Sequence, residues 1–277
     1  MDVLIFGDSG VGKSSNIVAA YAGLKDAVIG EGFLSRCRIS VEPDEEVEMW
    51  YRDYWRSGQY PAPTVRQCNH TFSIWYGVFF KKNLFRISII DTVGGHSVEV
   101  DDEGFHDSFI STVCESDDLM AFFSCRQLLP DNDRDLSIMG RKIDLLLEAI
   151  NMRLESSRRS FRLTLVFTMS DLISQREREE ISQLFEGLIS DDVGRLVDVN
   201  HFFVSNNPHN LDSPELPLLS LIAHSFMRMA DDSRNRRSGY GFRQRWVIRR
   251  ATHALLTHME GKTTGGMWRM YKHGLEL

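Results

Sequence analysis

The sequence lacks the features that mark membrane-spanning, disulfide-rich and low-complexity proteins. None of its apolar runs approaches the roughly 18–20 residues that a membrane-spanning helix needs. Its 277 residues include only 7 Pro and 4 Cys, and the cysteines show none of the CxxC spacing of a metal or redox site. Because Met1–Gly12 has the pattern of a strand and a loop, we also expect no signal peptide. We therefore predict a cytoplasmic protein with reduced thiols.

Acidic and basic residues are unevenly distributed along the chain. The net charge is −7, yet residues 233–277 hold ten Lys or Arg and two Glu, so that this tail carries +8 and the remainder −15. A basic tail on an acidic body indicates a contact with something anionic, which the sign alone does not identify. The body itself, a protein partner, nucleic acid and a membrane surface stay open, and no specific nucleic acid is predicted. We expect one domain over residues 1–232 and a basic amphipathic extension over 233–277.

The strongest pattern is a glycine-rich loop near the start of the chain. The apolar run Asp2–Phe6 precedes residues 7–14, whose sequence GDSGVGKS matches G-x-x-x-x-G-K-[ST] in full, and a helix-compatible stretch follows. Glycines allow successive backbone N–H groups to cradle phosphate oxygens at the positive end of that helix. Lys13 would reach the outer phosphates, and the Ser14 hydroxyl would ligate Mg²⁺. The pattern predicts that a nucleotide is bound by Gly7, Ser9, Gly10, Val11, Gly12, Lys13, Ser14 and Ser15.

A second motif follows a predicted β-hairpin. Apolar residues alternate over 72–80 and again over 85–89, on either side of a turn. The second strand ends in residues 91–95 (DTVGG). An Asp at the carboxyl end of a buried strand, here Asp91, can hold a metal directly or through water, and Gly94 can give its N–H to the terminal phosphate. DxxG is a weak pattern alone, but its place one hairpin after the phosphate loop makes it a strong indication of a nucleotide site.

These residues together resemble the P-loop GTPases of the translation-factor, Ras-like and septin-like class. The sequence of residues 7–15, GDSGVGKSS, is similar to the phosphate loop of Rab-type small GTPases, and in this class an antiparallel hairpin separates the two motifs. The resemblance implies an α/β three-layer sandwich, with a mixed and mostly parallel sheet that contains one antiparallel hairpin strand. It also implies that GTP or GDP is bound with Mg²⁺.

The resemblance implies a switch threonine ahead of the hairpin, whose hydroxyl and carbonyl approach Mg²⁺ and the terminal phosphate. Thr64, in a segment broken by prolines, is our candidate, and Thr71, inside the strand alternation, is the alternative. Residues 58–64 (GQYPAPT) are also similar to the G-x-x-P-x-x-T stretch of bacterial double-GTPase proteins found in conflict systems. The implied metal ligands are Ser14, Thr64 and Asp91.

The family reads guanine with an [NT]-K-x-D motif after a buried strand. Here residues 161–167 would form the strand, and the sequence TMSD follows from Thr168 to Asp171. The Asp171 carboxylate would accept two hydrogen bonds from the guanine imino and amino groups, an arrangement that adenine cannot offer. Met169 replaces the family's lysine, which removes a contact to the phosphate loop. After the next predicted strand, the base would also be contacted by Ser205, Asn206 and Asn207.

Hydrolysis needs an oriented water and stabilisation of charge on the transferred phosphoryl group. In Ras-like members the residue after DxxG is Gln, whereas here it is Gly95, and His96 follows one position later. The implied catalytic residues are Lys13, Thr64, Gly94 and His96. We expect slow GTP hydrolysis that a protein effector or regulator, or dimerisation across the nucleotide face, accelerates. An ATPase and a non-hydrolysing nucleotide-binding scaffold of a larger assembly remain the alternatives.

The rest of the chain has the pattern of alternating strands and helices. The apolar spacing predicts strands over 118–125 and 199–204, and helices over 132–155, 176–188 and 217–229. An insertion at 27–59 contains a predicted acidic helix with an aromatic stripe, which either packs on its own domain or forms an interface. The acidic segment 101–104 is typical of a mobile switch. The apolar residues among the arginines of 241–277 predict an amphipathic helix, which docks on the body, on a membrane surface or on a partner.

Overall fold

A computed structural model describes residues 1–28, 38–57, 61, 67–77, 81–91, 103–128, 133–156, 161–188, 197–205, 216–234, 245–253 and 255. The strands are β1 (Asp2–Phe6), β2 (Ile39–Pro43), β3 (Cys68–Tyr76), β4 (Lys82–Asp91), β5 (Asp118–Ser124), β6 (Phe161–Thr168) and β7 (Val197–Phe203). The helices are α1 (Lys13–Val28), α2 (Glu45–Ser57), α3 (Glu103–Glu115), α4 (Asp133–Ser156), α5 (Gln175–Leu188) and α6 (Leu216–Arg234). A further helix, α7, covers 245–253 and 255.

Within these residues, seven strands form one mixed sheet in the order β2-β3-β4-β1-β5-β6-β7. β1 pairs in parallel with β4 and β5, β5 with β6, and β6 with β7. Every residue of β5 and β6 is buried, as expected of parallel strands that are covered on both faces. The predicted α/β fold, with a mostly parallel sheet and an antiparallel hairpin, is confirmed.

The insertion contributes a strand that the sequence pattern did not predict. β2 pairs antiparallel with β3, in a register that runs from Ile39 opposite Tyr76 to Pro43 opposite Phe72. The acidic helix predicted after it is present as α2. Asp44 links α2 to β3, because its carboxylate accepts hydrogen bonds from the backbone N–H of Val47 in α2 at 2.9 Å and of Thr71 in β3 at 2.7 Å. The described part of the insertion, residues 38–57, therefore adds a strand to the sheet and a helix after it.

Two other segments differ in part from the expectations. The helix α3 was not predicted, and it begins at Glu103, inside the segment that we expected to be a mobile switch. In α7, Val247, Ile248 and Leu255 are buried, whereas Trp246 is 54% exposed. Within the described residues, part of the apolar face of the predicted tail helix is thus buried, while residues 256–277 of the tail lie outside the part that the structure describes. None of the described helices is both long enough and apolar enough to cross a membrane.

The chain divides into two compact units. One comprises Met1–Asn16, Tyr60–His70 and Ser88–Pro214, and the other comprises Ile17–Gln59, Thr71–Ile87 and Glu215–Leu277. The first unit contains the phosphate loop and the carboxyl ends of the parallel strands. Its core is formed by apolar residues of β1, β5 and β6 and of α4, among them Leu4, Phe123, Leu146, Leu163 and Phe167. The predicted boundary near residue 232 stays a prediction.

Candidate nucleotide-binding site

The carboxyl ends of the parallel strands meet at one edge of the sheet. Ile5, near the end of β1, pairs with Asp91 of β4, and Ser124 at the end of β5 pairs with Thr168 of β6. In open α/β sheets, ligands bind outside these carboxyl ends. The register therefore brings the phosphate loop, Asp91 and the segment after Thr168 to the same edge.

The phosphate loop adopts backbone conformations that favour glycine. Gly7 has a φ of +148° and Gly12 a φ of +91°. A Cβ atom at Gly7 would also lie 2.7 Å from the carbonyl oxygen of Phe122, so that any side chain there would displace the loop from β5. The backbone N–H of Asn16 donates to the Gly12 carbonyl at 2.8 Å, which starts α1 directly after the loop. The loop has the form that its sequence predicts.

Lys13 is buried inside this loop, with 4% of its surface exposed. Its ammonium group donates to the carbonyl oxygens of Gly7 at 2.6 Å and Asp8 at 3.0 Å. Burial lowers the pKa of Lys13, and the nearby carboxylates of Asp91 and Asp8 oppose that change. A cation withdrawn from water at a helix N-terminus fits an anionic ligand, because both the charge and the backbone N–H groups favour one.

Ser14 and Asp91 are the described residues that fit a magnesium ion. The Ser14 hydroxyl lies 3.5 Å from Oδ2 of Asp91, and both residues are buried. Hydroxyl and carboxylate oxygens are ligands that Mg²⁺ accepts, and Mg²⁺ usually takes only one or two from the protein beside waters and phosphates. The alternative switch residue Thr71 lies within β3, where its backbone N–H bonds to Asp44.

The two segments predicted to contact the base are joined by a hydrogen bond. Asp171 lies in a short 3₁₀ helix, Ser170–Leu172, and its Oδ1 accepts a hydrogen bond of 2.8 Å from the Ser205 hydroxyl. The backbone N–H of Ser170 also donates to the carbonyl of Val204 at 3.2 Å. Asp171 is exposed to solvent, so its carboxylate is available to a ligand and is held by Ser205.

Met169, which stands where the resembled GTPases have lysine, contacts β5. It has a left-handed backbone, with φ 58° and ψ 36°, and its sulfur accepts a hydrogen bond of 3.4 Å from the Ser124 hydroxyl. The Thr168 hydroxyl donates to the Phe123 carbonyl at 3.3 Å. Both contacts tie the start of the motif to β5, so that Asp171 projects from an anchored turn.

The sequence pattern missed a charged pair at the phosphate loop. Lys142 of α4 forms an ion pair with the carboxylate of Asp8, and the two side chains are 9% and 14% exposed. The spacing of the helix could have indicated that Lys142 is buried, because it lies three residues after Met139 and four before Leu146, which are both buried. A lysine at a core-facing position of a helix needs a counter-charge.

Several predicted site residues lie outside the part of the chain that the structure describes. They are Thr64, Gly94, His96, Asn206 and Asn207. Their roles at the metal, the terminal phosphate and the base stay predictions.

No protein-family model matches the chain, and no curated protein matches it. Among solved structures, the bacterial selenocysteine-specific elongation factor EF-Sec is 12% identical with a TM-score of 0.41, over 80% of this chain and 28% of that chain. The SRb-GTP/SRX complex from Chaetomium thermophilum is 11% identical with a TM-score of 0.42, over 76% and 92%. The GTPase-like domain of S. cerevisiae Ski7, bound to GDP and inorganic phosphate, is 12% identical with a TM-score of 0.45, over 82% and 50%.

This chain thus spans less than a third of EF-Sec and half of the Ski7 chain. The strand order, the hairpin and the phosphate loop described above fit an α/β P-loop NTPase fold.

Proposed function

We propose that this chain binds a guanine nucleotide with Mg²⁺ and acts as a GTP-dependent switch that hydrolyses GTP slowly to GDP and phosphate. The main support is one spatial relationship. Two groups of residues lie at the same carboxyl edge of the parallel strands: Lys13 with Ser14 and Asp91, which we propose for the phosphates, and Asp171 with Ser205, which we propose for the base. A nucleotide has these two chemically different ends, and a loop that bound only phosphate would leave the second group without a role.

At the phosphate end, the chain supplies a buried cation and two oxygen ligands. Lys13 would balance negative charge on the outer phosphates, and the backbone N–H groups of the loop would bind their oxygens. Ser14 and Asp91 would hold Mg²⁺, which when bound neutralises charge on the phosphate oxygens. Thr64 is the proposed third ligand.

At the base end, selectivity would come from the Asp171 carboxylate. Ser205 fixes one carboxylate oxygen through its 2.8 Å hydrogen bond, which limits the orientations of the group. A carboxylate held in this way can accept the two hydrogen bonds that guanine donates from its imino and amino groups. Adenine presents no such pair, and the carboxylate would be left unsatisfied against it. We propose that Ser205, Asn206 and Asn207 also contact the guanine carbonyl through their backbone.

Slow hydrolysis is proposed because the position after DxxG is Gly95, which has no side chain to orient a water. His96 would act in its place, and a protein partner or a second copy of the chain would supply the remaining stabilisation. We further propose a cytoplasmic location, with the basic tail in contact with an acidic partner or a membrane surface.

The first test is to identify the nucleotide in freshly purified protein and to titrate GTP, GDP and ATP in the presence of Mg²⁺. We expect guanine nucleotides to bind at least about tenfold more tightly than ATP. Asp171→Asn should weaken the binding of GTP and strengthen the binding of xanthosine triphosphate. Asp53→Asn, at an exposed position of α2, serves as the matched control. ATP preference, or unchanged selectivity in Asp171→Asn, would remove the guanine assignment. GTP recovered intact after long incubation would contradict hydrolysis.

A further inference from the structure

Lys142 is a buried cation whose counter-charge lies in the phosphate loop. The residue is 7% exposed, and its ammonium group pairs with the carboxylate of Asp8, the second residue of that loop. Water screens an ion pair weakly when both groups are withdrawn from solvent. Breaking such a pair by removing one partner is costly, since it leaves an uncompensated buried charge.

Asp8 contacts two ammonium groups through two different parts of the residue. Its carbonyl oxygen accepts a hydrogen bond from Lys13 at 3.0 Å, and its carboxylate faces Lys142. The charge of Asp8 raises the pKa of Lys13, whereas the charge of Lys142 lowers it. All three groups therefore share one electrostatic environment, and that environment contains the residue that meets the phosphates.

The acidic side chain of Asp8 places a negative charge in a loop that we propose to bind phosphate. A polyphosphate brings several negative charges to the loop, and a nearby unpaired carboxylate would repel them through a weakly screening medium. Lys142 supplies the compensating positive charge from α4, a helix distant in sequence. This role differs from those of Lys13, Ser14 and Asp91, which would meet the phosphates or their metal ion.

We propose that Lys142 is a positioning residue of the phosphate site, which neutralises the Asp8 carboxylate and so permits a polyphosphate to bind at a loop that carries an acidic side chain. The inference rests on the proposed function only in requiring that the loop bind a polyphosphate, whatever the base. It does not depend on guanine selectivity or on hydrolysis.

The Lys142–Asp8 ion pair could also act only by holding the phosphate loop against α4, and that role predicts different effects of the substitutions on ligand affinity. If the pair acted only by holding the loop in place, removing either partner would weaken ligand binding to a similar degree. If charge neutralisation is the main effect, the two removals act in opposite directions. Lys142→Met leaves a negative charge at the site, whereas Asp8→Asn leaves an extra positive charge there.

The test compares Lys142→Met, Asp8→Asn and the double variant with the wild type, by calorimetric titration with GDP, ATP and inorganic tripolyphosphate in Mg²⁺. We expect Lys142→Met to bind about tenfold more weakly or worse, and Asp8→Asn to bind about twofold to fivefold more tightly. The double variant should return to within about threefold of the wild type. Lys81→Met, which removes an exposed partner of Glu42, is the matched control and should change nothing.

Equal weakening in Asp8→Asn and Lys142→Met, or unchanged binding in Lys142→Met, would overturn the inference. Thermal unfolding without ligand reports whether each variant folds. If Lys142→Met does not fold, Asp8→Asn decides, because tighter binding supports neutralisation and weaker binding contradicts it. A wild type that prefers ATP overturns the guanine assignment. The affinities of the two single variants and the double variant for ATP then still test the inference about Lys142. A wild type that binds none of the three ligands overturns both.

Discussion

The Ser205 hydroxyl donates a hydrogen bond of 2.8 Å to the Asp171 carboxylate, although the two residues are 34 positions apart in the sequence. The contact joins the segment that follows β6 to the segment that follows β7. It gives the side chain proposed to select the base a fixed partner before any ligand arrives, so that less conformational freedom is lost on binding.

Removal of the Ser205 hydroxyl should weaken the binding of guanine nucleotides but not the binding of tripolyphosphate. In Ser205→Ala, the Asp171 carboxylate loses a hydrogen bond to a charged group, which is worth about 1.5–3 kcal/mol, and we expect GDP to bind roughly tenfold more weakly. Tripolyphosphate, which has no base, should bind as it does to the wild type. Fluorescence titration of the two ligands separates these outcomes. Equal loss for both ligands would mean that Ser205 acts on the whole site instead of on Asp171.

Nucleotide binding should take up protons at alkaline pH. Burial lowers the pKa of Lys13 below its ordinary value of 10.5, and a bound polyphosphate would favour the charged form again. Affinity should therefore fall as the pH rises through the lowered pKa. In the same window the unfolded chain binds more protons than the folded one, so that the contribution of Lys13 to stability rises with pH.

Calorimetry in two buffers of different ionisation enthalpy, repeated over a series of alkaline pH values, measures this uptake directly. We expect a positive number of protons bound per GDP, increasing with pH. The number of protons should fall as the pH is lowered, because Lys13 then becomes charged in both the free and the bound state. Proton release on binding at the higher pH would contradict the assignment of Lys13 to the phosphates.

Asp44 should stabilise the insertion without affecting the nucleotide. Its carboxylate accepts from Val47 at the start of α2 and from Thr71 in β3, and the loss of such an N-cap costs about 0.5–2 kcal/mol. Asp44→Ala should lower the free energy of unfolding in urea by roughly that amount or somewhat more. The exposed Asp53→Ala, in the same helix, should have a smaller effect. GDP affinity should be unchanged, and a large loss of affinity would show that the insertion acts on the site.

The phosphate loop was predictable because its requirements are local. Gly7 and Gly12 adopt backbone conformations that favour glycine, and Lys13 and Ser14 follow Gly12 directly. One short stretch of sequence therefore contains all of the residues that define the loop. The strand β6 was equally predictable, since it consists mostly of apolar and β-branched residues, as is typical of a strand buried on both faces.

Features that depend on distant partners were not predictable in this way. β2 has only five residues, among them Ser, Glu and Pro, and it becomes a strand through its pairing with β3. The helix α3 begins with Glu103 and Gly104, a pair that is typical of a loop, and its burial becomes evident only where Phe109 and Val113 join the core. Lys142 could be recognised as a misfit on its helix, but its partner Asp8 lies 134 residues away.

The composition of β2 also has a consequence for solubility. Within the described part of the sheet, β2 is a terminal strand, and such strands can recruit foreign chains into aggregates. Its last residue is Pro43, which has no N–H to donate, and the residue before it is Glu42, a charged side chain in contact with Lys81. Both features discourage the addition of another strand. β2 thus extends the described sheet and ends it in residues that disfavour uncontrolled polymerisation through that edge.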